Sequence, residues 1–323
     1  HGERRMVQRK LTLVLGAGVS ADLSYPTGDA VKKEIQEGID PNGSLIKYLE
    51  KLEFDTDSHK MAPFRESLRF SQETSIDAYL KEFPDYAEMG KACIAAILMK
   101  RERDTDLSKK SQFYSTLFRE FNKDGPENFN NSNISIITFN YDRSLEHFLH
   151  QALMHSSQKM TKEKCEEKLK NIPIIHVHGK LGPLDWQEEN GREYGWPITI
   201  EEQLPAIKSA YQGIRVIHEE DDRFSEFERA QLALKDADVI CFIGFGYHKL
   251  NMERLNIADY LGKEIFGTCK GNDNTAVSRI RRIFGGNILL ANRGDSTADF
   301  FREWFDMAEK RPIKNLHWEN TTT

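Results

Sequence analysis

The stretch LTLVLGAGVSADLSYPTG, residues 11–28, decides the fold of this chain. Its first five residues, Leu11 to Leu15, form an unbroken apolar run, typical of a central strand covered on both faces of a parallel sheet. The run passes directly into Gly16 to Ala21, which fits the G-x-G-x-x-[GA] pattern of a tight turn that lets a phosphate approach the backbone. Pro26 then restricts the residue before it, and Thr27 is suited to cap a helix that begins only afterwards.

The glycine turn by itself leaves the ligand open. It could be a plain strand-to-helix turn or a nucleotide site. A Rossmann dehydrogenase would place an acidic residue at the end of a second strand about twenty residues further on. Here Glu34 and Glu37 fall inside a predicted helix, in which Val31, Ile35 and Ile39 recur at helical spacing. The pattern therefore favours a nucleotide site of a different kind.

The rest of the chain predicts an alternation of strands and helices. Apolar residues at three- and four-residue spacing predict that residues 44–125 form an almost wholly helical insertion. Residues 180–197 contain glycine, proline and tryptophan and are predicted to form a long loop. Later strands are predicted at Ile134–Phe139, Ile172–Gly179, Asp238–Gly246, 263–269 and 287–292, and an amphipathic helix closes the fold. We therefore predict an α/β, Rossmann-like, doubly wound, mostly parallel sheet, as one domain over 10–310 with a tail at 311–323.

Polar residues follow two of the later strands, where parallel sheets place their ligand crevice. The first strand ends in Thr138-Phe139-Asn140-Tyr141-Asp142, so Asn140 and Asp142 either reach the crevice or cap the next helix. The second ends in His176-Val177-His178-Gly179, and residues two apart on a strand share a face. The histidines could be a buried pair or a metal site, but no third ligand is evident, and His178 is placed as an exposed general base would be.

A second glycine turn, Gly244-Phe245-Gly246-Tyr247, follows the apolar strand that begins at Asp238. It is either an ordinary turn or a backbone contact for a ribose or phosphate. The stretch GTCKGNDN at residues 267–274 is predicted to form a further turn, which we expect to contact the adenine of a bound nucleotide.

Composition excludes several classes of protein. The 323 residues carry a net charge of −6, which disfavours direct binding to nucleic acid. The four cysteines lie far apart without a C-x-x-C pair, so we expect reduced thiols and no zinc site. No apolar run reaches eighteen residues, and we expect a cytoplasmic protein without a membrane segment.

The four strand ends, read in order, resemble the sirtuin family. GAGVSADLSYPTG, TFNYD, HVHGKLG and FIGFGYHKLN are most similar to the zinc-less sirtuin-like domains of bacterial anti-phage defence systems. Protein-deacylating sirtuins carry two C-x-x-C pairs and a G-I-P-D-F-R loop, where this chain has no such pair and reads LSYPTG. These departures favour cleavage of NAD+ over deacylation of a protein.

The resemblance implies a role for each matching residue. His178 would be the general base, and Asn140 would orient the ribose hydroxyls or the attacking water. Asp142 would bind the nicotinamide amide. The diphosphate would be held by Gly16, Ala17, Gly18 and Ser20, and the adenosine side by the second turn, Gly244, Phe245, Gly246 and Tyr247. Thr27 and Asp29, on the loop after the first turn, are weaker candidates for NAD+ contacts.

The resemblance also implies control, because unrestrained loss of NAD+ would be toxic. We expect a homo-oligomer, or a partner such as an ATPase or a sensor protein, and the helical insertion is either an assembly surface or a plain lid. Three alternatives stay open at this point. The chain could be a protein deacylase or ADP-ribosyltransferase, or a sensor that binds NAD+ or ADP-ribose without turnover. It could also be a subunit that only docks on a nucleic-acid-guided complex.

Overall fold

A computed structural model describes residues 9–73, 75–129, 133–216 and 226–310 of the chain. Within them lies one six-stranded, all-parallel sheet with the strand order β3-β2-β1-β4-β5-β6, which confirms the predicted Rossmann-like doubly wound fold. The predicted tail at 311–323 lies outside the described residues. The strands are β1 (Leu11–Leu15), β2 (Ile134–Thr138), β3 (Ile174–His176), β4 (Val239–Ile243), β5 (Glu264–Gly267) and β6 (Leu289–Leu290).

Helices fill the connections between the strands. Those in the described residues are α1 (Gly28–Gly38), α2 (Ile46–Lys51), α3 (Ser58–Phe70), α4 (Ile76–Glu82), α5 (Ala87–Met99), α6 (Asp104–Lys110), α7 (Gln112–Phe121), α8 (Ser144–Met154), α9 (Lys162–Lys170), α10 (Ile200–Gln212), α11 (Glu226–Asp236), α12 (Lys249–Arg254), α13 (Asn274–Ile283) and α14 (Thr297–Lys310). In this part of the chain, no helix combines the length and the apolar character that crossing a membrane requires.

The sheet is covered on both faces, as its apolar strands predict. On one face, Leu13 of β1 belongs to a buried cluster with helices of the insertion and with α8, α10 and α14. On the other face, Val14 belongs to a second cluster that includes residues of α11, α12 and α13. Successive strand residues thus face opposite layers.

The insertion between β1 and β2 is helical, and its centre is α5. Every residue of α5 except Glu88 and Met89 is buried, so the helix is apolar on nearly every side rather than along one stripe. It packs against α10, α1, α2 and α4. The insertion therefore shares one core with the sheet.

The register of the sheet brings the strand ends into line. Leu15 pairs with Thr138 of β2 on one side and with Ile243 of β4 on the other, and Thr138 in turn pairs with His176 of β3. The residues that follow these four strands consequently emerge side by side at the point where the strand order reverses. In open α/β sheets this is the place where ligands bind.

Candidate functional site

A cavity of about 650 Å³ lies at the carboxyl ends of the strands. This volume is within the range typical of small-molecule sites. Residues from the loops after β1, β2, β3, β4, β5 and β6 line it, together with the start of α4 from the insertion. Of the residues singled out from the sequence, those that line it are Gly16, Ala17, Gly18, Thr27, Asn140, His178, Gly244, Phe245 and Gly246.

The two glycine turns pack directly against each other in the middle of this cavity. A Cβ atom on Gly16 would lie 2.5 Å from the carbonyl oxygen of Gly244, and one on Gly18 would lie 2.6 Å from the Cα of Gly244. Gly244 itself has a φ of +59°, in the left-handed region that favours glycine. The glycines are therefore needed first for the close approach of the β1 and β4 turns.

We expect Gly16→Ala to lower the free energy of unfolding by about 1–3 kcal/mol, the usual cost of overpacking, because the atoms that the new methyl group meets are backbone. Gly262→Ala is the matched control, since nothing lies within 4 Å of a Cβ at that position. Urea denaturation of the three proteins measures the difference. Equal stabilities of the two variants would contradict the packing role.

The same packing uses up some of the backbone donors expected to hold a phosphate. The N–H of Gly16 donates to the carbonyl of Ile243 (3.0 Å) and that of Gly18 to the carbonyl of Gly244 (2.9 Å). Within the described residues, the N–H groups of Ala17, Phe245 and Gly246 have no acceptor in the protein. The donors open to an anion are thus those of Ala17, Phe245 and Gly246 rather than those of Gly16 and Gly18.

Thr27 stands at the opposite wall, at the N-terminus of α1. It precedes Gly28, the first residue of that helix, and its side chain makes no capping hydrogen bond. Both residues line the cavity. The positive end of an eleven-residue helix dipole therefore faces the enclosed space.

Asn140 is held by its amide nitrogen. Nδ2 donates to the carbonyl of Gly16 (3.1 Å) and lies 3.4 Å from the hydroxyl of Ser20. A carbonyl only accepts, which fixes the orientation of the amide. No group among the described residues donates to Oδ1, so this oxygen is available to a hydroxyl or a water in the cavity.

His178 lines the cavity as Asn140 does, but it is not exposed as predicted: only 4% of its surface is accessible, because aromatic side chains surround it. The rings of Phe139 and Phe227 surround its imidazole at centroid distances of 5.5 and 5.6 Å. Burial lowers the pKa of His178 below its ordinary value; the charge of Asp77 opposes this shift and that of Arg254 adds to it. The imidazole is thereby kept in its neutral, basic form.

Asp77 is a carboxylate that the sequence reasoning missed. It comes from the first turn of α4, whose N-terminus is capped by the Ser75 side chain, and it lines the cavity. Tyr141, next to Asn140 in the chain, donates a hydrogen bond from its hydroxyl to Asp77 Oδ1. The insertion therefore covers the cavity and adds an acidic group to it.

Basic groups line the cavity on the opposite side of β1. Lys249 begins α12 after β4, and Lys270 follows β5. Ser296 and Thr297, at the start of α14, complete this end with hydroxyl groups. Lys270 and Asn272 belong to the 267–274 stretch singled out from the sequence.

Four predicted residues are not among those that line the cavity. Asp29 is exposed in the first turn of α1, and the other three are buried. Ser20 is buried beneath it and contacts the Asn140 amide. The Asp142 carboxylate accepts hydrogen bonds from the N–H and hydroxyl of Ser144, a turn that starts α8, and burial raises its pKa. Tyr247 is buried, and its hydroxyl donates to the carbonyl of Thr268. The structure gives these three side chains partners within the protein.

His176 and His178 have different surroundings. Both rings are buried, but His176 lies against Asn140 and Glu146 by hydrogen bonds, whereas His178 is enclosed by aromatic rings. In the ranges that the structure describes, no three histidine, cysteine, aspartate or glutamate side chains come together in a way that could hold a metal ion.

Comparison with known proteins adds no family assignment: no protein-family model matches the chain, and no curated protein is significantly similar to it.

Proposed function

We propose that the chain is an NAD+ glycohydrolase, which cleaves the nicotinamide–ribose bond of NAD+ to give nicotinamide and ADP-ribose. The observation that carries the proposal is that Asn140 and His178 line the same cavity as both glycine turns, at the switch point of the sheet. The motif order that resembles sirtuin-like domains supports the same substrate.

The basic groups of the cavity suit the diphosphate of NAD+. Lys249 and Lys270 lie on the side of β4 and β5, whereas Asp77 lies near His178. Two further carboxylates, Asp22 and Glu73, line the cavity from the segments before α1 and α4. NAD+ carries a positive nicotinamide ring at one end and a negative diphosphate further along. We place the nicotinamide ribose beside Asn140 and His178, and the adenosine part toward Lys270.

The diphosphate would then cross the glycine turns. The N–H groups of Ala17, Phe245 and Gly246 are its donors in this proposal, and the N-terminus of α1 contributes a favourable dipole. Gly16 and Gly18 act by letting the two turns approach each other. This division of roles refines the one that the sequence motif implies.

The chemistry needs a positioned water and a base. As the bond between C1′ and the nicotinamide nitrogen breaks, the ribose becomes oxocarbenium-like and neutral nicotinamide leaves. Water adds to C1′, and its proton passes to the neutral imidazole of His178. Asn140 Oδ1 would accept a hydrogen bond from a ribose hydroxyl or from this water and so fix its position.

Incubation with NAD+ followed by chromatography for nicotinamide and ADP-ribose tests the proposal. The wild-type chain should form both products in equal amounts without an acylated peptide, and Asn140→Ala should form them much more slowly. Binding of NAD+ without any turnover, or turnover that requires an acyl-lysine peptide, would contradict it. Equal rates for Asn140→Ala and the wild type would reject the site.

The pH dependence of kcat/KM should show the lowered pKa of His178. A general base must be neutral, so kcat/KM should fall on the acid side, and we expect the midpoint of this fall to lie below 6.5, the ordinary pKa of histidine. Asp77→Asn removes a charge that raises this pKa, so the drop should move to lower pH. A pH–rate profile of both proteins measures the midpoints, and a higher midpoint in the variant would contradict the assignment.

The biological role that we propose is depletion of NAD+ in anti-phage defence, under the control of an oligomer or of a partner ATPase or sensor. The resemblance of the four motifs supports this role. The alternatives of a deacylase and of a sensor without turnover are separated from it by the same NAD+ assay.

A further inference from the structure

The imidazole of His176 joins the proposed catalytic loop to helix α8. Nδ1 lies 3.0 Å from the backbone carbonyl oxygen of Asn140, and Nε2 lies 2.8 Å from Oε1 of Glu146. The side chains of His176 and Glu146 are only 8% and 4% exposed. These contacts end at the backbone of Asn140, and Asn140 itself lines the cavity.

Both groups that face the ring are hydrogen-bond acceptors. A backbone carbonyl never donates, and an ionised carboxylate only accepts. The contact between Nδ1 and the Asn140 carbonyl is therefore a hydrogen bond only when Nδ1 carries a proton.

The surroundings of Glu146 favour the ionised carboxylate over a shared proton. Burial alone would raise the pKa of Glu146, but the charge and hydrogen bond of His176 and the charge of Lys180 lower it to about 2. Lys180 Nζ is 3.7 Å from Oε1, and Oε2 has no hydrogen-bond partner among the described residues. The nearest donor to this buried charge is therefore the His176 ring.

We infer that the His176 imidazole carries a proton on Nδ1 and acts as a positioning residue for Asn140. Nδ1–H donates to the Asn140 carbonyl, and Nε2 faces the Glu146 carboxylate. His176 thereby holds the backbone of Asn140, while the Asn140 side chain bonds Gly16. The inferred catalytic consequence rests on the proposed function, but the proton on Nδ1 does not.

Charged groups lie around the ring on the side of α8. Glu146 on α8 contacts Nε2 directly, and Asp142 lies in the loop before α8. In the described residues, the cation that contacts Glu146 beside the ring is Lys180, and its Nζ approaches Oε1, the same oxygen that Nε2 faces.

The protonation state is tested by NMR of protein labelled with ¹⁵N-histidine. The His176 signals are assigned by their loss in His176→Gln. We expect Nδ1 of His176 to carry a proton in the wild type, because it faces a carbonyl oxygen. An unprotonated Nδ1 in the wild type would overturn the inference, whether or not the chain cleaves NAD+.

Two matched variants test the positioning role. The amide nitrogen of asparagine can take the place of Nδ1, whereas that of glutamine can take the place of Nε2. We expect His176→Gln, which loses the bond to the Asn140 carbonyl, to lower kcat by about tenfold to a hundredfold with little change in KM. His176→Asn, which keeps that bond, should retain a kcat close to wild type even though it leaves Glu146 without its partner.

Thermal melting of both variants separates positioning from simple stability. His176→Asn should be the less stable of the two, because it removes the nearer of the two partners of the buried Glu146 carboxylate, and yet be the more active. An equal kcat in the two variants, or a kcat that follows their melting temperatures, would overturn the positioning role.

Discussion

Replacing His178 by alanine is expected to lower the rate of NAD+ cleavage by about a hundredfold to ten-thousandfold, the usual cost of losing a positioned general base. The ring lines the cavity beside Asn140, and burial lowers its pKa so that it is neutral at pH 7. Because it is enclosed by the rings of Phe139 and Phe227, it has little freedom to leave its position.

His178→Gln tests the base separately from the packing, since glutamine fills much of the volume but has no basic nitrogen. It should be nearly as slow as His178→Ala and should unfold at a temperature closer to that of the wild type. His155→Ala is the control, because His155 is exposed at the end of α8 and away from the cavity. Initial rates of nicotinamide release measure all four proteins, and a His178→Gln variant with wild-type activity would refute the general-base role.

The sheet could be predicted because its signals are local. Buried parallel strands are short apolar runs, and each run here ends at a glycine or a polar residue, so β1 to β6 were all found. Helix α9 (Lys162–Lys170) and α10 (Ile200–Gln212) were not predicted, since α9 is mostly charged and α10 contains Pro205. Packing against α8 and α5 favours these helices despite their weak local patterns.

The candidate site was predictable only where it follows strand ends. Asn140 and His178 reach the cavity because the register of the sheet aligns their strands. Asp77 comes from a helix of the insertion, about sixty residues before Asn140. The sequence around it does not indicate that its carboxylate lies at the cavity. Asp142 shows the opposite case: its position after β2 fits a ligand contact, but the nearest donor is Ser144 in its own turn.

A buried ion cluster joins the insertion to the long loop at 180–197. Glu102, after α5, accepts hydrogen bonds from Arg143 (2.9 Å to Nη2) and from Arg192 (2.7 Å to Nη1). The side chains of Glu102 and Arg143 are fully buried, and that of Arg192 is 11% exposed. The N–H of Gly195 also donates to Glu102, at 2.9 Å. One carboxylate thus compensates two buried guanidinium groups.

We expect Glu102→Gln to lower the free energy of unfolding by about 3–5 kcal/mol, the usual cost of removing one partner from a buried ion pair. The amide keeps the shape of the side chain but leaves the charges of Arg143 and Arg192 uncompensated. Burial already lowers the pKa of Arg143, and Glu102 is the main group that opposes this effect. The variant should therefore lose stability through charge rather than through a cavity.

Glu34→Gln is the matched control, because Glu34 pairs with Arg101, the residue next to Glu102, at a partly exposed site. A pair of this kind contributes about 0–1 kcal/mol, so this variant should unfold close to the wild type. Urea denaturation gives both values, and a shift of the midpoint with an unchanged slope would assign the loss to the native state. Similar midpoints for Glu102→Gln and Glu34→Gln would mean that water enters and compensates the two arginines. In that case the loop at 180–197 would be held by hydrogen bonds that the Arg143 guanidinium donates, rather than by the Glu102 carboxylate. The acceptors are the backbone carbonyls of Pro183, Arg192 and Glu193.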